Sequence, residues 1–244
     1  LMCSIFKKYK IKPLFVFDGI SGEEKQEELL RRREQKKIAK HEYYKILESE
    51  NYNEKKDKQQ LKELQRKFVK VYQVDINNVK LLFDYYGITY YQAQGEADEL
   101  CAYLIHNNIG DIVMSDDMDL FVYGCPIILR NVDLINRTCL EYNLNNILKK
   151  LSINMEDFKL LCLCSGSDYY KSEKTIFHNY NVYKFKKKNQ SYKEIILNDR
   201  IISEKIENVS LMFDVTNKNI NFQLKINNDI HKSKLHKLLE IENF

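Results

Sequence analysis

The chain has six cysteines (Cys3, Cys101, Cys125, Cys139, Cys162 and Cys164) but no Cys-x-x-Cys pair. Several of them sit among apolar neighbours. Neither a disulfide framework nor a zinc site is expected, and the thiols read as reduced core residues of an intracellular protein. No run of 18 apolar residues occurs, and no charged-then-apolar leader, so neither a membrane span nor a secretory signal is expected. Net charge is small: 39 basic against 35 acidic residues leave +4, which alone makes no case for a nucleic-acid partner. Glycine and proline are absent from Glu23 to Tyr86, which predicts long helices there.

At 244 residues the chain can bury a large core, and one compact α/β domain with appendages fits that length. It opens at Leu1 inside an apparent amphipathic helix (Leu1, Met2, Ile5, Phe6), so a beginning further upstream is expected. Leu14 to Phe17 (LFVF) reads as a strand closed by the Asp18-Gly19 turn. An acid at the carboxyl end of a strand lies where open α/β sheets bind ligands, although an ordinary Asp-Gly turn explains it as well.

Over 23–70 there are 15 Lys and Arg against 11 Asp and Glu. Such a run is either a solvated helical face or coiled-coil-like hairpin, or a phosphate-contacting arm. Val71, Val74, Val79, Leu82, Phe83 and Tyr86 predict a helix packed on a sheet and capped by Gly87. A short strand is predicted from Ile88 to Tyr91. Helices are predicted after Gly95, from Leu144 to Leu151 and from Met155 to Cys164, and a strand from Pro126 to Arg130. Late alternation over Val209–Val215 and Ile220–Ile226 allows a hairpin.

Ile112 to Met114 has strand character and runs into Asp116, Asp117 and Asp119. If the chain stays extended, Asp117 and Asp119 point to one side, and two converging acids suggest a cation site. Asp116 reads as an exposed neighbour. Asp98, beside Glu96 and Glu99, lies in a first helical turn, where the helix dipole favours acids; capping explains one of them better than all three. With Asp168 after a Ser-Gly-Ser turn, the acids at element ends are Asp18, Glu96, Asp98, Asp117, Asp119 and Asp168. Gathered by one sheet, they would need cations. Hard oxygen donors without a matching His/Cys set favour Mg²⁺ or Mn²⁺ over zinc. Two such ions suit phosphodiester hydrolysis.

Four segments, PLFVFDG (13–19), QGEADELCAYL (94–104), SDDMDLFVYG (115–124) and LCLCSGSDYY (161–170), resemble the flap endonucleases within the structure-specific 5′ nucleases, a group that includes the xeroderma pigmentosum group G nuclease and exonuclease 1. The resemblance covers residues 1 to about 170. It implies a PIN-like (resolvase-like) α/β fold, with a mostly parallel central sheet flanked by helices, a helical arch insertion and a helical C-terminal region. The implied organisation is a nuclease core over 1–170, with the arch at about 20–70, and a DNA-binding region over 171–244.

The resemblance further implies that the six acids are metal ligands for two Mg²⁺ ions, with Mn²⁺ able to substitute. Asp98 stands where the family usually has glutamate. The family's seventh acid falls on a strand that would precede Leu1. Lys25 and Arg32 match the arch residues that engage the scissile phosphate and steady its charge; Lys36, Lys37, Arg66 and Lys67 read as solvated. Ser172 to Lys188 lacks the glycine-rich turn of the family's helix-two-turn-helix, and Lys184, Lys186, Lys187 and Lys188 are expected to grip duplex DNA by charge instead.

The implied activity is cleavage of 5′ flaps at single-strand/duplex junctions in DNA replication or repair, in the nucleus or another site of replication. The 77 residues between Asp18 and Glu96 are too few for the long spacer of the group G type. Alternatives are a 5′–3′ exonuclease of the same family, a catalytically inactive junction binder, and an RNA-cutting relative. DNA with a flap or junction is the expected partner and a monomer the expected state. The chain's end carries no clamp-binding box, so no sliding-clamp partner is expected.

Overall fold

The computed structural model describes the chain except residues 21, 23–24, 51, 186–190, 197–199, 217, 219, 221, 223–229 and 242–244. In chain order the elements are α1 (Met2–Lys8), β1 (Leu14–Phe17), α2 (Gln26–Leu47), α3 (Glu54–Phe68), α4 (Gln73–Tyr86), β2 (Thr89–Gln92), α5 (Ala97–His106), β3 (Val113–Met114) and α6 (Asp119–Val122). They continue as β4 (Ile127–Asp133), β5 (Thr138–Asn143), α7 (Leu144–Leu151), α8 (Met155–Cys164), α9 (Ile176–Phe185), α10 (Tyr192–Ile196), α11 (Arg200–Met212) and α12 (Lys232–Ile241). The chain forms two compact units, one of residues 1–21 and 88–228, the other of 22–87 and 229–244.

The first unit carries the sheets. β1 pairs with β2 in parallel, from Leu14 opposite Thr89 to Phe17 opposite Gln92. β3 pairs with β4 in parallel, and β4 with β5 in antiparallel. The expected sheet is thus divided into two pieces among the described residues, and α5 packs against both β1 and β3. Leu100 and Leu104 of α5, with Ala93 just after β2, form the apolar cluster against which Leu14 and Val16 of β1 pack. A parallel pair needs a long crossover, and residues 22–87 supply it between β1 and β2.

The larger core is built around α8, whose Leu161 and Leu163 are fully enclosed together with Leu120 of α6 and Ile128 of β4. Truncating any of these to alanine would cost about 2–5 kcal/mol. Ile206, Val209 and Phe213 are also buried there. Their spacing is helical, and α11 runs through the place where the alternation had predicted the first strand of a late hairpin. That prediction fails because the buried positions Ile206, Val209 and Phe213 follow a helical period that begins before Val209. Most of its second strand lies outside the described residues.

The second unit is helical, as the lack of glycine and proline requires. α2 and α3 pack together, with Tyr43 edge-on to Phe68 at 5.3 Å and with Ala39, Leu61 and Leu64 buried. Asn53 caps α3 by accepting from Lys55 N and Lys56 N. α4 starts where the Tyr72 N–H donates to Asp75 Oδ2 at 2.7 Å. It ends at Gly87, whose left-handed φ of 70° lets its N–H reach Phe83 O, the predicted cap. Val71 lies before this helix, and Val74 and Val79 are exposed. No described helix is long and apolar enough to cross a membrane.

Candidate active site

The loops that follow β1 and β2 run side by side. Ala93 N donates to Phe17 O at 2.9 Å, Gly19 N to Gly95 O at 2.7 Å and Ile20 N to Gln94 O at 3.1 Å. A Cβ on Gly19 would stand 2.2 Å from Ala93 O, so only glycine allows this approach. The consequence is a placed carboxylate: Asp18 Oδ1 accepts from Ala97 N at 2.9 Å, at the first turn of α5. Glu96 is the N-cap residue of that helix and Asp98 lies in its first turn. Asp18, Glu96 and Asp98 are thereby brought to one helix N-terminus, whose unpaired N–H groups and dipole favour negative charge.

A cleft of about 410 Å³ borders this turn, lined by Gln94, Gly95, Glu96 and Glu99 and by Lys218 and Ile220 from the chain's later part. Lys218 Nζ pairs with Glu99 Oε1 and reaches Met212 O at 3.2 Å. Lys218 carries no local sequence signal, because its partner lies 119 positions away.

Asp117 and Asp119 do not sit on extended chain. β3 ends at Met114, and Asp117 N donates to Ser115 Oγ at 3.1 Å. Asp117 Oδ1 then accepts from Asp119 N at 2.8 Å, so the first acid caps the turn that starts α6 with the second. Burial of Leu120, Phe121 and Val122 pulls the chain into this turn and overrides the alternation. Asp116 is exposed as expected, but its Oδ1 accepts from Asn131 N at 2.8 Å.

Asp168 lies in the turn after α8. Ser167 and Tyr170 bridge across it, with Ser167 N donating to Tyr170 O at 2.8 Å, and Gly166 turns the chain at φ 109°. The turn is tied to α9 by a buried amide: Asn179 Nδ2 donates to Ser165 Oγ at 2.9 Å, and Ser165 Oγ donates to Leu161 O at 2.6 Å.

The electrostatic influence of the acids overlaps across these elements. Burial first, then the charges of Asp98 and Asp18 among others, push the Cys101 thiol up to about 12. Burial and Asp98 do the same to Cys125, and burial and Asp119 to Cys162, each to about 12. The Tyr123 hydroxyl is also driven up, by burial and then by Tyr169, Glu99, Asp119 and Asp98. The acids at these element ends are carboxylates, the oxygen donors that hard divalent cations take. Among the described residues no three His, Cys, Asp or Glu side chains stand close enough to hold an ion between them. The donor chemistry fits such a cation; the acids are linked through the main chain, Asp18 to the Ala97 N–H of α5 and Asp117 to the Asp119 N–H.

Lys25 and Arg32 belong to the second unit. Lys25 is the N-cap residue of α2, and Arg32 Nε donates to Glu28 Oε1 at 2.8 Å. Arg31 takes both oxygens of the same carboxylate at 2.6 Å. With Arg31 as the larger cause and Arg32 beside it, the buried Glu28 carboxyl is held down to about 2. Lys36, Lys37, Arg66 and Lys67 are exposed. Lys184 is exposed, with Nζ 4.7 Å from the Tyr180 ring centre; Lys186, Lys187 and Lys188 lie outside the described residues.

The sequence matches the XPG N-terminal domain over residues 2–40 and the XPG I-region over 87–168. Flap endonuclease 1 of Theileria annulata is 34% identical over 195 residues, which are 80% of this chain and 37% of that protein. The human flap endonuclease 1 is 30% identical over 165 residues, 66% of this chain and 42% of that protein. The chain therefore spans about two fifths of the length of these curated relatives. Among solved structures, flap endonuclease-1 from Methanococcus jannaschii superposes with a TM-score of 0.63 at 20% identity, over 99% of this chain and 73% of that one. The catalytic core of Rad2 in complex with DNA substrate gives 0.62 at 19%, over 98% and 77%. The fold is the PIN-like α/β arrangement expected from the sequence.

Proposed function

The chain belongs to the flap endonuclease family, and on that premise we propose that it hydrolyses DNA phosphodiester bonds at 5′ flaps and junctions in replication or repair, in the nucleus or another site of DNA synthesis. The observation that carries this reading is the junction of β1 and α5, where one hydrogen bond sets Asp18 beside Glu96 and Asp98.

Asp18, Glu96, Asp98, Asp117, Asp119 and Asp168 would hold two Mg²⁺ ions, or Mn²⁺ in their place. When bound, such ions supply Lewis acidity to the attacking water and the leaving oxygen. Asp98 has the shorter reach of the two acid types, which suits contact through water. Lys25 acts as a point charge on the scissile phosphate and Arg32 as a planar donor, oriented by Glu28 through its Nε. Residues 20–70 form the arm that engages the flap. Residues 171–244 grip the duplex, with Lys184, Lys186, Lys187 and Lys188 as the basic contacts.

The test is a substrate panel in Mg²⁺ with and without chelator: a 5′ flap, a blunt duplex, a recessed 5′ end, and a matched RNA flap. Chelator-sensitive cutting of the DNA flap in preference to the others supports the proposal. Equal degradation of blunt and recessed ends would make the chain an exonuclease of the family. Tight flap binding without cutting would make it a junction binder.

A further inference from the structure

The turn that carries Asp117 and Asp119 is held from outside by Arg130, which lies in no sequence motif. Arg130, on β4, donates from Nη2 to Asp116 O at 2.8 Å, and its Nη1 lies against Met118 Sδ. The two nitrogens of one guanidinium thus bracket Asp117, touching the residue before it and the residue after it. The guanidinium is steadied by the Tyr142 ring of β5, whose centre is 5.8 Å from Cζ, within the range of a cation–π contact.

The next residue completes the bracket. Asn131 has a left-handed φ of 50°, a conformation asparagine tolerates better than most side chains. That twist directs its N–H to Asp116 Oδ1 at 2.8 Å. Ser115 N donates to Leu129 O at 3.1 Å, so β4 fixes the turn at its entry, through Asp116 and at Met118. The Asp116 carboxylate thus faces β4.

We propose that Arg130 is a positioning residue which, with Asp116 and Asn131, fixes the backbone of 115–119 so that Asp117 and Asp119 present their carboxylates to a divalent cation. This rests on the assignment of those two acids as metal ligands. Groups that hold ligands in place typically alter metal affinity by 10–100-fold when removed. A lysine at position 130 would keep the charge but not the planar fork that reaches two partners.

The test is direct Mn²⁺ binding, followed by electron paramagnetic resonance of the free ion, with circular dichroism of every variant to confirm folding. Arg130→Met and Arg130→Lys should both weaken Mn²⁺ binding by about 10–100-fold. Asp116→Asn keeps the Oδ1 acceptor and should bind as wild type does, whereas Asp116→Ala should be weakened. Should the Arg130 variants fail to fold, Asn131→Gly, which keeps both the twist and the N–H, should bind normally, and Asn131→Val should not.

Asp117→Ala and Asp119→Ala serve as references. If they lose Mn²⁺ while Arg130→Met or Asn131→Val binds normally, the positioning role is overturned and the metal assignment stands. If Asp116→Asn is as weak as Asp116→Ala, Asp116 acts by its charge and the bracket is wrong. If the reference variants bind as wild type, the metal assignment fails and the bracket with it.

Discussion

Asp18 and Ala97 stand 79 positions apart in sequence and meet through a 2.9 Å hydrogen bond from the Ala97 N–H to Asp18 Oδ1. One carboxylate oxygen thus satisfies an N–H in the first turn of α5 and ties the end of β1 to the turn that bears Glu96 and Asp98. Fold and proposed chemistry share this contact, and substitution can separate them. Asp18→Asn retains an acceptor and should leave the melting temperature nearly unchanged, while Asp18→Ala should cost about 1 kcal/mol, as loss of a helix cap does. Both should abolish cleavage, since the charge is gone. An Asp18→Asn protein with wild-type activity would remove Asp18 from the metal site.

Gly19 is required for a different reason. A Cβ there would lie 2.2 Å from Ala93 O and 2.4 Å from Gln94 O, both main-chain atoms that cannot swing aside. Gly19→Ala should destabilise the protein by about 3 kcal/mol or prevent folding, as urea unfolding would reveal. A loss below about 0.5 kcal/mol, typical of surface substitutions, would mean that the two loops are not packed this closely.

The cysteines should differ in reactivity. Cys101, Cys125 and Cys162 are pushed up to about 12, so at pH 8 only about 10⁻⁴ of each is thiolate, the reactive form. Cys139 is exposed. Maleimide labelling of the native protein followed by peptide mass spectrometry should find Cys139 modified first. Early labelling of Cys101 would contradict the burial and the acidic surroundings assigned to it.

Glu28 gives a pH dependence with a definite sign. Its carboxyl is held down to about 2, below the unfolded value of about 4.3. The pairing therefore contributes stability that is complete above pH of about 4.3 and is lost as pH falls toward 2. The stability difference between wild type and Glu28→Gln, measured by urea unfolding, should be largest near pH 7 and shrink by pH 3. A constant difference would show that the Arg31 and Arg32 contacts do not depend on the charge of Glu28.

DNA binding should weaken steeply with added salt if several Lys and Arg neutralise phosphates. Affinity for a flap substrate, taken by fluorescence anisotropy across a salt series, should fall linearly on logarithmic axes. A flat response would count against both the arm and the lysine run as phosphate contacts.

Much of the fold was legible where one local signal dominated. β1, α7 and α8 occupy the stretches their apolar patterns predicted, and Gly87 ends α4 in the left-handed conformation expected of a cap. β5 was not legible: most of Thr138–Asn143 is exposed, so its strand character comes from pairing with β4 rather than from any alternation. The hairpin predicted from Val209 fails because Ile206 sets the helical phase of α11.

The six acids are candidates because each stands at the end of an apolar element in the sequence. Their local geometry is not legible there. The pair Asp117 and Asp119 looked extended because the two-residue period ignores side chains that bond their own backbone, as Asp117 does to Asp119 N. Arg130 and Asn131 were missed for a related reason: their partner is 14 and 15 positions away, and a lone Arg-Asn pair after an apolar strand carries no pattern. An arginine directly following a run such as Pro126–Leu129 was the only available clue.

The most direct measurement is single-turnover cleavage of a 5′-flap DNA in Mg²⁺ by wild type and by Asp117→Ala, with flap affinity measured in parallel. Wild type should cut at the junction, and Asp117→Ala should bind the flap while cutting about 10³-fold more slowly, the scale on which loss of electrostatic stabilisation is felt. Equal rates for the two proteins would contradict the assignment of Asp117 to the metal site on which the mechanism is built.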